Sequence, residues 1–447
     1  MSTGKKIYSN AELRKLIVPI AIEQLLVVFV GFLSTIMVSS VGEDAVSAVS
    51  LVDSINQLFN NIFIALGTGG TVVVSQFIGK KKLNEAQYSA KQLMLIMSLI
   101  TAIFTALCLA FSGTVLQLLF GSVTAGIMAN ARVCFFYTAM SYPFVALYYA
   151  GTALFRAIDR SRTTMYIAFI MNGLNIALNI LLINVFNLGV LGVAISTVIA
   201  KAVACIIVLY LLAKKDNLIY INNYFDTKFE WNYIKKILTI AIPSGIENGI
   251  FQFGKIILQR LVTTLGVYAV TAYAITSNAN QLIVVTGYAS GVGLITIIGR
   301  CVGAEEYEQA KYYIKKVLKW AYITVIAIST AFQLFLPWTL QLYSLSTTTT
   351  EIARLCITIN FIGTIMIWPT SFSLPNALRA ANDARFTMLI SIFSMVVFRC
   401  LLGYILALWF NLGVAGVWLA MMVDWLFRSI MFVYRYLGNK WQEKKLV

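Results

Sequence analysis

PIAIEQ at residues 19–24 and PSGIEN at residues 243–248 are two copies of one motif, and they open an internal repeat. Residues 19–88 align without a gap on residues 243–312 at a constant offset of 224, and 18 of the 70 pairs are identical. Later segments of the halves also match, namely ARVC at 131–134 with ARLC at 353–356, and NLGVLGV at 187–193 with NLGVAGV at 411–417. Two homologous halves in a hydrophobic chain are typical of transporters, because related bundles that rock against each other can open a central site to either side of a membrane.

The composition indicates a chain that lies in a lipid bilayer. Of its 447 residues, 60% are hydrophobic and 12% are charged, and the mean hydropathy is +0.82. A helix that crosses the hydrocarbon takes about 20 apolar residues and satisfies its own backbone hydrogen bonds. The apolar runs therefore predict an all-α integral membrane protein with twelve transmembrane helices, near residues 16–39, 50–78, 91–113, 127–154, 163–185, 189–213, 237–263, 269–299, 313–337, 352–378, 386–409 and 412–437.

Lysine and arginine gather on alternate connections between these helices, and this pattern sets the predicted orientation. The basic segments run from Lys5–Lys15 to Arg435–Lys445, whereas the intervening turns carry Glu43, Asp44 and Glu351. The positive-inside tendency then places both termini in the cytoplasm of a multi-pass protein of the plasma (inner) membrane. Because topology accounts for the net charge of +16, we expect no nucleic-acid partner.

Each half holds six spans, so the halves are predicted to be parallel and related by a pseudo-twofold axis along the membrane normal. We predict an N-terminal six-helix lobe over residues 1–213, a cytoplasmic linker over 214–236 and a C-terminal six-helix lobe over 237–447. The six cysteines show no pairing pattern and are expected to be free thiols. The chain has no histidine, and we expect no metal site and no cofactor apart from a coupling ion, H⁺ or Na⁺.

Several motifs in a fixed order carry a family likeness. They are STIMVSSVGEDAVSAVS at 34–50, GTGGTVVVSQFIGKKK at 67–82, LFRAIDRSRTTM at 154–165, ALRAANDARFTM at 377–388 and LNIALNILLINVFNLGVLGVAIST at 174–197. Together they resemble the multidrug and toxic compound extrusion (MATE) family, and within it the bacterial DinF-type branch. The resemblance implies twelve helices in two six-helix lobes. It also implies export of organic, often cationic and amphipathic compounds, driven by inward flow of Na⁺ or H⁺.

The chain departs from the family pattern at the acids that the resemblance implies for cation coupling. An aspartate is expected eight residues before Gly42, where this chain has Ser34. The Asn-x-x-x-Asp pattern of span five is present as Asn175 and Asn179, without the acid. A glutamate found in another branch is replaced by Phe251. Either coupling uses other acids, or this protein does not couple in the familiar way.

Five residues are predicted as cation-coupling candidates: Glu23, Asp53, Glu247, Asn175 and Asn179. Glu23 and Glu247 are a repeat-matched pair, and a carboxylate that is desolvated in one state and hydrated in another can carry a proton. Asp53 opens span two within a polar stripe that favours a water-filled cavity. The alternatives are structural, because the glutamates could cap a helix or pair with a nearby lysine, and the asparagines could tie helices together.

The substrate-cavity candidates are Ser34, Asn56, Asn172, Lys255, Asn278, Asn280 and Gln281. Lys255 and Arg260 lie well inside span seven, where fixed positive charge favours anionic or zwitterionic cargo over cationic drugs. The alternative for Lys255 is an ion pair with Glu247 or Asp53. Asp424 and Arg428, spaced i and i+4, are predicted to pair with each other as a structural feature on the cytoplasmic side.

The predicted function is secondary-active export of small amphipathic organic compounds by alternating access, driven by a proton or sodium gradient. The alternative is a flippase for a lipid-linked precursor, since Lys255 and Arg260 suit a pyrophosphate group. The sequence contains no phosphate-binding loop with the required spacing and no clustered catalytic set, which argues against an enzyme. We expect a monomer whose partners are a small-molecule substrate and the lipid bilayer.

Overall fold

The computed structural model describes residues 6–121, 123–221, 228–341, 343 and 345–447, and within them the chain is almost entirely helical and has no strand. The α-helices are α1 (Asn10–Ser39), α2 (Glu43–Gly79), α3 (Leu83–Ala110), α4 (Ser112–Phe120), α5 (Ala125–Met140), α6 (Tyr142–Ala157), α7 (Ser161–Asn179), α8 (Gly189–Leu212), α9 (Trp231–Thr264), α10 (Val267–Gly303), α11 (Tyr307–Leu334), α12 (Leu336–Gln341), α13 (Thr347–Phe372), α14 (Leu374–Ala380), α15 (Ala384–Ser394), α16 (Leu402–Tyr404) and α17 (Gly413–Leu437). Spans five and eleven also contain π-helical segments, at Ile180–Val185, Met395–Leu401 and Ile405–Trp409.

The helices account for the twelve predicted membrane crossings. Within the described residues, ten helical segments are long and apolar enough to cross a membrane, and the bent pair of α5 and α6 makes an eleventh span. Helix α9 is the twelfth, since its 34 residues extend for about 51 Å. It repeats α1 but carries more polar residues along its length. The prediction of an all-α membrane protein with twelve transmembrane helices is confirmed.

Two spans that were predicted as continuous helices are broken. Span four, expected over 127–154, consists of α5 and α6, which meet at Ser141 with a bend of 47°. Span ten, expected over 352–378, is interrupted at Ser373, between α13 and α14. Pro143 and Pro375 stand in the first turn of the helix that follows each break. A proline is tolerated there because its missing N–H would have no helical acceptor, but it cannot continue the preceding helix.

The chain forms two compact units, and the division falls inside helices α1 and α9. The first unit comprises residues 14–241, and the second comprises residues 242–447 with the segment that ends at Leu13. In the first unit α2 packs on α3, α5 and α6, and in the second α10 packs on α11, α13 and α14. The most apolar windows of α2 and α10 are each 72% buried, so these repeat-matched helices are the centres of their units.

The segment predicted as the linker, 214–236, packs in part within the first unit. Gln92 Nε2 donates a hydrogen bond to the backbone oxygen of Lys228 at 2.7 Å. The Tyr233 hydroxyl donates to the Glu85 carboxylate. Residues 222–227 lie outside the described part of the chain, and the lobe limits at 213 and 237 stay a prediction.

The NLGVLGV and NLGVAGV motifs bring the sixth span of each unit against the fifth. A Cβ on Gly192 would lie 3.1 Å from the backbone carbon of Leu182, and one on Gly416 would lie 2.8 Å from that of Leu406. Glycine therefore permits a backbone-to-backbone approach that any side chain would prevent. Leu182 and Leu406 lie in the π-helical parts of spans five and eleven, so the repeat preserves this packing in both units.

All six cysteines are free, as predicted, and five of them are buried.

Candidate functional site

Each unit holds a buried glutamate of its first helix against an arginine from the end of span four or ten. In the first unit, Arg156 Nη2 lies 2.6 Å from Glu23 Oε1, and the Thr164 hydroxyl donates to Glu23 Oε2 at 3.0 Å. In the second unit, Arg379 Nη2 lies 2.7 Å from Glu247 Oε2. Glu23 and Glu247 are only 5% and 3% exposed. Both repeat-matched glutamates are therefore paired with an arginine. The alternative, a pair with a nearby lysine, is not found among the described residues.

If Glu23 and Arg156 stabilise each other, their substitutions should have non-additive effects on the free energy of unfolding. Glu23→Gln is expected to destabilise the protein by about 2 kcal/mol, because the charged acceptor of the Arg156 hydrogen bond is lost. The double variant Glu23→Gln with Arg156→Gln is expected to recover most of that loss. Thermal unfolding of the detergent-solubilised protein measures both. Losses that simply add in the double variant would mean that the two side chains do not stabilise each other.

Asp53 lies on a face of α2 where every exposed side chain is polar. The exposed positions of this helix are Glu43, Asp44, Ser47, Ser50, Asp53, Ser54 and Gln57. Such a face is incompatible with acyl chains, because polar groups without partners in hydrocarbon cost free energy. A water-filled space suits this face better than lipid, and Asp53 stands ten residues, about 15 Å, along the helix from its start.

The carboxylate of Asp53 is weakly held by comparison with Glu23. Asn56 Nδ2 donates to Asp53 Oδ1 at 3.3 Å, and the Tyr142 hydroxyl in turn donates to Asn56 Oδ1 at 2.9 Å. Lys201 of α8 interacts electrostatically with Asp53. Within the described chain, no lysine or arginine nitrogen comes within 4.0 Å of its oxygens. Asp53 is thus an exposed acid with no arginine bound to it.

The asparagines of span five lie on α7. Asn172 Nδ2 donates to the Ala168 backbone oxygen at 2.9 Å, and Asn179 Nδ2 donates to Asn175 Oδ1 at 3.2 Å. Asn179 is buried, and its own Oδ1 has no hydrogen-bond partner among the described residues. The π-helical segment begins at the next residue. An unpartnered amide oxygen beside irregular backbone could serve as a ligand for a dehydrated cation.

Helix α9 presents two accessible faces of opposite character in the second unit. The polar face is Asn248, Gln252, Lys255 and Gln259, and the apolar face is Ile242, Ile246, Phe253 and Ile256. The polar residues recur at spacings of four, three and four, which is one side of an α-helix. Since the apolar face suits lipid, the polar face with Lys255 suits a water-filled space.

The remaining cavity candidates are partly accessible. Ser34 is half-buried on α1, Asn278 and Asn280 are half-buried on α10, and Gln281 is exposed. Asn280 Oδ1 has no hydrogen-bond partner within the described chain.

The predicted pairing of Asp424 with Arg428 is wrong, because Asp424 pairs with an arginine of another span. Arg399 Nη2 and Nε lie 2.6 and 2.8 Å from Asp424 Oδ2. The Ser394 hydroxyl donates to Asp424 Oδ1 at 2.5 Å. Asp424 is fully buried, so this pair ties α17 to span eleven rather than forming a surface feature.

Arg428 contacts Glu247 instead, with Nη2 at 3.7 Å from Oε1. Its guanidinium carbon lies 4.8 Å from the ring centre of Phe251 and 4.5 Å from that of Phe372. The i, i+4 spacing gave the wrong partners for Asp424 and Arg428. Both side chains point into the unit, where residues of neighbouring helices lie closer.

The two repeats also match a known family. The MatE family model matches residues 19–181 and 243–405, which are corresponding parts of the two halves. The chain belongs to the MATE family. It is therefore a multi-pass membrane transporter, and the family likeness inferred from its motifs is confirmed.

Curated relatives match nearly the full length of the chain. The uncharacterized transporter YisQ of Bacillus subtilis is 29% identical over 438 residues, which is 95% of this chain and 94% of YisQ. The probable multidrug resistance protein NorM of Thermotoga maritima is 24% identical over 98% of this chain and 94% of its own.

Solved structures share the fold at low sequence identity. A MOP superfamily transporter from Pyrococcus furiosus, described as having a binding pocket of reversed polarity, aligns with a TM-score of 0.90 at 17% identity, over 97% of this chain and 96% of its own. An outward-facing multidrug resistance MATE transporter aligns with a TM-score of 0.89 at 18% identity, over 96% and 94%.

At one position where the family resemblance implied a glutamate, this chain has Phe251, whose ring lies against two arginines. Phe251 in span seven lies under Arg428 and also under Arg399, whose guanidinium carbon is 5.4 Å from the ring centre. An aromatic face attracts a cation without carrying a charge. This part of the MATE fold is therefore more positive than the family pattern implies.

The arginines of these pairs were not assigned roles from the sequence, although a signal existed. Arg156 and Arg379 occupy the same place in LFRAIDRSRTTM and ALRAANDARFTM, just as Glu23 and Glu247 do in PIAIEQ and PSGIEN. Two charges of opposite sign that recur together in both repeats indicate a pair. Arg399 carries no comparable signal.

Proposed function

We propose that the protein is a secondary-active exporter of small amphipathic organic compounds, driven by inward flow of H⁺ or Na⁺. It acts as a monomer in the plasma membrane with both termini in the cytoplasm, and it needs no cofactor other than the coupling ion. Membership of the MATE family supports export, and the names of relatives such as NorM, a probable multidrug resistance protein, point to the same class of cargo.

Asp53 carries the coupling role in this proposal, because it is an accessible acid and no arginine is bound to its carboxylate. Glu23 and Glu247 are buried and held in close ion pairs with Arg156 and Arg379, so their carboxylates are already engaged. The exposed positions of α2 around Asp53 are all polar, and such a face suits a water-filled space from which a proton or sodium ion can reach the carboxylate. This polar face is the observation on which the proposal depends.

The choice between sodium and protons depends on which oxygens surround the ion. Sodium requires several oxygen ligands, and the free Oδ1 of Asn179 is a candidate for a second site in the first unit. Proton coupling requires only that Asp53 titrate.

Alternating access is supported by the position of the prolines. Pro19 and Pro243 lie inside α1 and α9, a few residues beyond the points where the two units divide. Each proline removes a helical hydrogen bond and so makes bending less costly there.

Uptake by proteoliposomes under separately imposed pH and Na⁺ gradients tests this function. We expect one gradient, and not the other, to drive accumulation of an amphipathic dye well above the level in protein-free vesicles. Equal dye levels in protein-containing and empty vesicles under both gradients would contradict ion-driven export. Transbilayer movement of a lipid-linked precursor without either gradient would favour the flippase instead.

A further inference from the structure

We propose that the compound exported by this protein carries a negative charge, and that Lys255 of the second unit is the group that receives it, with the positive charge of Arg399 nearby. The inference rests on the proposed export function and specifies the chemical class of the cargo. The expected group is a carboxylate, sulfonate or phosphate at one end of an amphipathic molecule.

Lys255 is placed to meet such a group. It is exposed, and it lies in the middle of the polar face of α9, between Gln252 and Gln259. Ion pairs of the second unit use Glu247, Asp383, Asp424, Glu305 and Glu308, and within the described chain none of these acids is bound to Lys255. An accessible ammonium group without a counter-ion in a membrane span indicates a place for an anion.

Arg399 adds a second positive charge at this place. It is close enough to interact electrostatically with Lys255, and also with Tyr273 of α10. Tyr273 is hydrogen-bonded to Ser277, so two hydroxyl groups lie in the same region. The two hydroxyl groups and the Lys255 ammonium can donate to an anion's oxygens, whereas the Arg399 guanidinium, which is buried and bound to Asp424, contributes only its charge.

The acids nearby are already occupied. Asp424 Oδ2 accepts both contacts from Arg399, and its Oδ1 accepts from Ser394. Glu247 is bound by Arg379 and approached by Arg428. The spans of the second unit therefore hold Lys255, Arg399 and Arg428 against two engaged carboxylates. A cationic compound would meet an uncompensated positive charge here.

A buried aromatic cluster lies behind the proposed anion site. Leu258, one turn from Lys255, belongs to a cluster with Trp368, Trp418 and Trp425. The ring of Tyr273 lies 5.9 Å from that of Trp418, centre to centre. The anion site and the aromatic cluster are thus adjacent along α9 and α10.

Two dyes of one scaffold and opposite charge test the inference. Fluorescein is an anion and rhodamine 123 a cation, and both contain a xanthene ring system. Binding to the full-length protein in a nonionic detergent is measured by fluorescence polarisation. We expect fluorescein to bind at least about tenfold more tightly than rhodamine 123, the scale of one charge-assisted hydrogen bond.

Variants of α9 locate the site. Lys255→Gln is expected to weaken fluorescein binding about tenfold, and Lys255→Arg to retain most of it. Arg260→Gln is the matched control, because Arg260, which the sequence grouped with Lys255, is exposed on the apolar side of the same helix instead, and we expect unchanged binding. Preferential binding of rhodamine 123, or equal fluorescein binding by the wild type and Lys255→Gln, would overturn the inference.

Competition for fluorescein binding identifies the kind of anionic group that the site accepts. A transport assay then separates this inference from the proposed function. Displacement of fluorescein by farnesyl pyrophosphate but not by inorganic phosphate would assign the site to a lipid-like pyrophosphate. Displacement by neither compound would indicate that the natural ligand resembles the dye more closely than it resembles a phosphate or pyrophosphate. If Lys255-dependent binding is found but neither gradient drives fluorescein across proteoliposomes, the anion site stands and ion-driven export fails.

Discussion

Asp53→Asn is expected to abolish gradient-driven accumulation while the protein still folds and still binds its cargo. One charge that moves through 100 mV supplies about 2.3 kcal/mol, equivalent to about fifty-fold accumulation. The asparagine keeps the shape of the side chain and can still hydrogen-bond Asn56, but it cannot take up and release a proton. Because Asp53 is exposed and has no arginine bound to it, the folded state should lose little stability.

Initial rates and plateau levels in proteoliposomes measure this effect. Asp53→Glu is expected to retain part of the accumulation, since it keeps the carboxylate. Gln57→Ala changes an exposed polar residue of the same face and should leave accumulation unaltered. Full accumulation by Asp53→Asn would remove Asp53 from the coupling mechanism.

The second large effect concerns stability. Asp424→Asn is expected to destabilise the protein by about 3–5 kcal/mol, because it leaves Arg399 buried without its counter-ion. Combining it with Arg399→Gln should restore much of the loss. The midpoint of thermal unfolding in detergent is the measurement.

A surface ion pair provides the comparison. Glu308→Gln removes the partner of Lys311, but the Glu308 side chain is 79% exposed, so its effect should be within about 1 kcal/mol. A similar shift for Asp424→Asn and Glu308→Gln would show that the buried pair with Arg399 contributes little.

The sequence predicted the helices far better than it predicted the partners of the charged residues. Long apolar runs must be helical in lipid, so the spans follow directly from composition. The break at Ser141 was less visible, because Pro143 alone does not reveal whether a helix bends or ends. The π-helical segments around Asn179 and Arg399 have no distinct composition.

The candidate site shows the same contrast. The polar side of α2 around Asp53 could be predicted, because helical periodicity shows which residues share a face. The partner of Asp424 could not be predicted, because it depends on which of several nearby helices brings an arginine closest. Spacing within one helix favoured Arg428, and the packing of α17 on span eleven brought Arg399 instead.

The internal repeat also shows where the charges of the two halves came to differ after gene duplication. Glu23 and Glu247 are the same ancestral position and still have the same type of partner. By contrast, Asp53 corresponds to Ser277, and Lys255 to Gly31. An ancestor built from two identical copies would have carried each of these charges twice or not at all. Placing an acid in one half and a base in the other therefore required the two duplicated copies to evolve apart, which two identical subunits encoded by one gene cannot do.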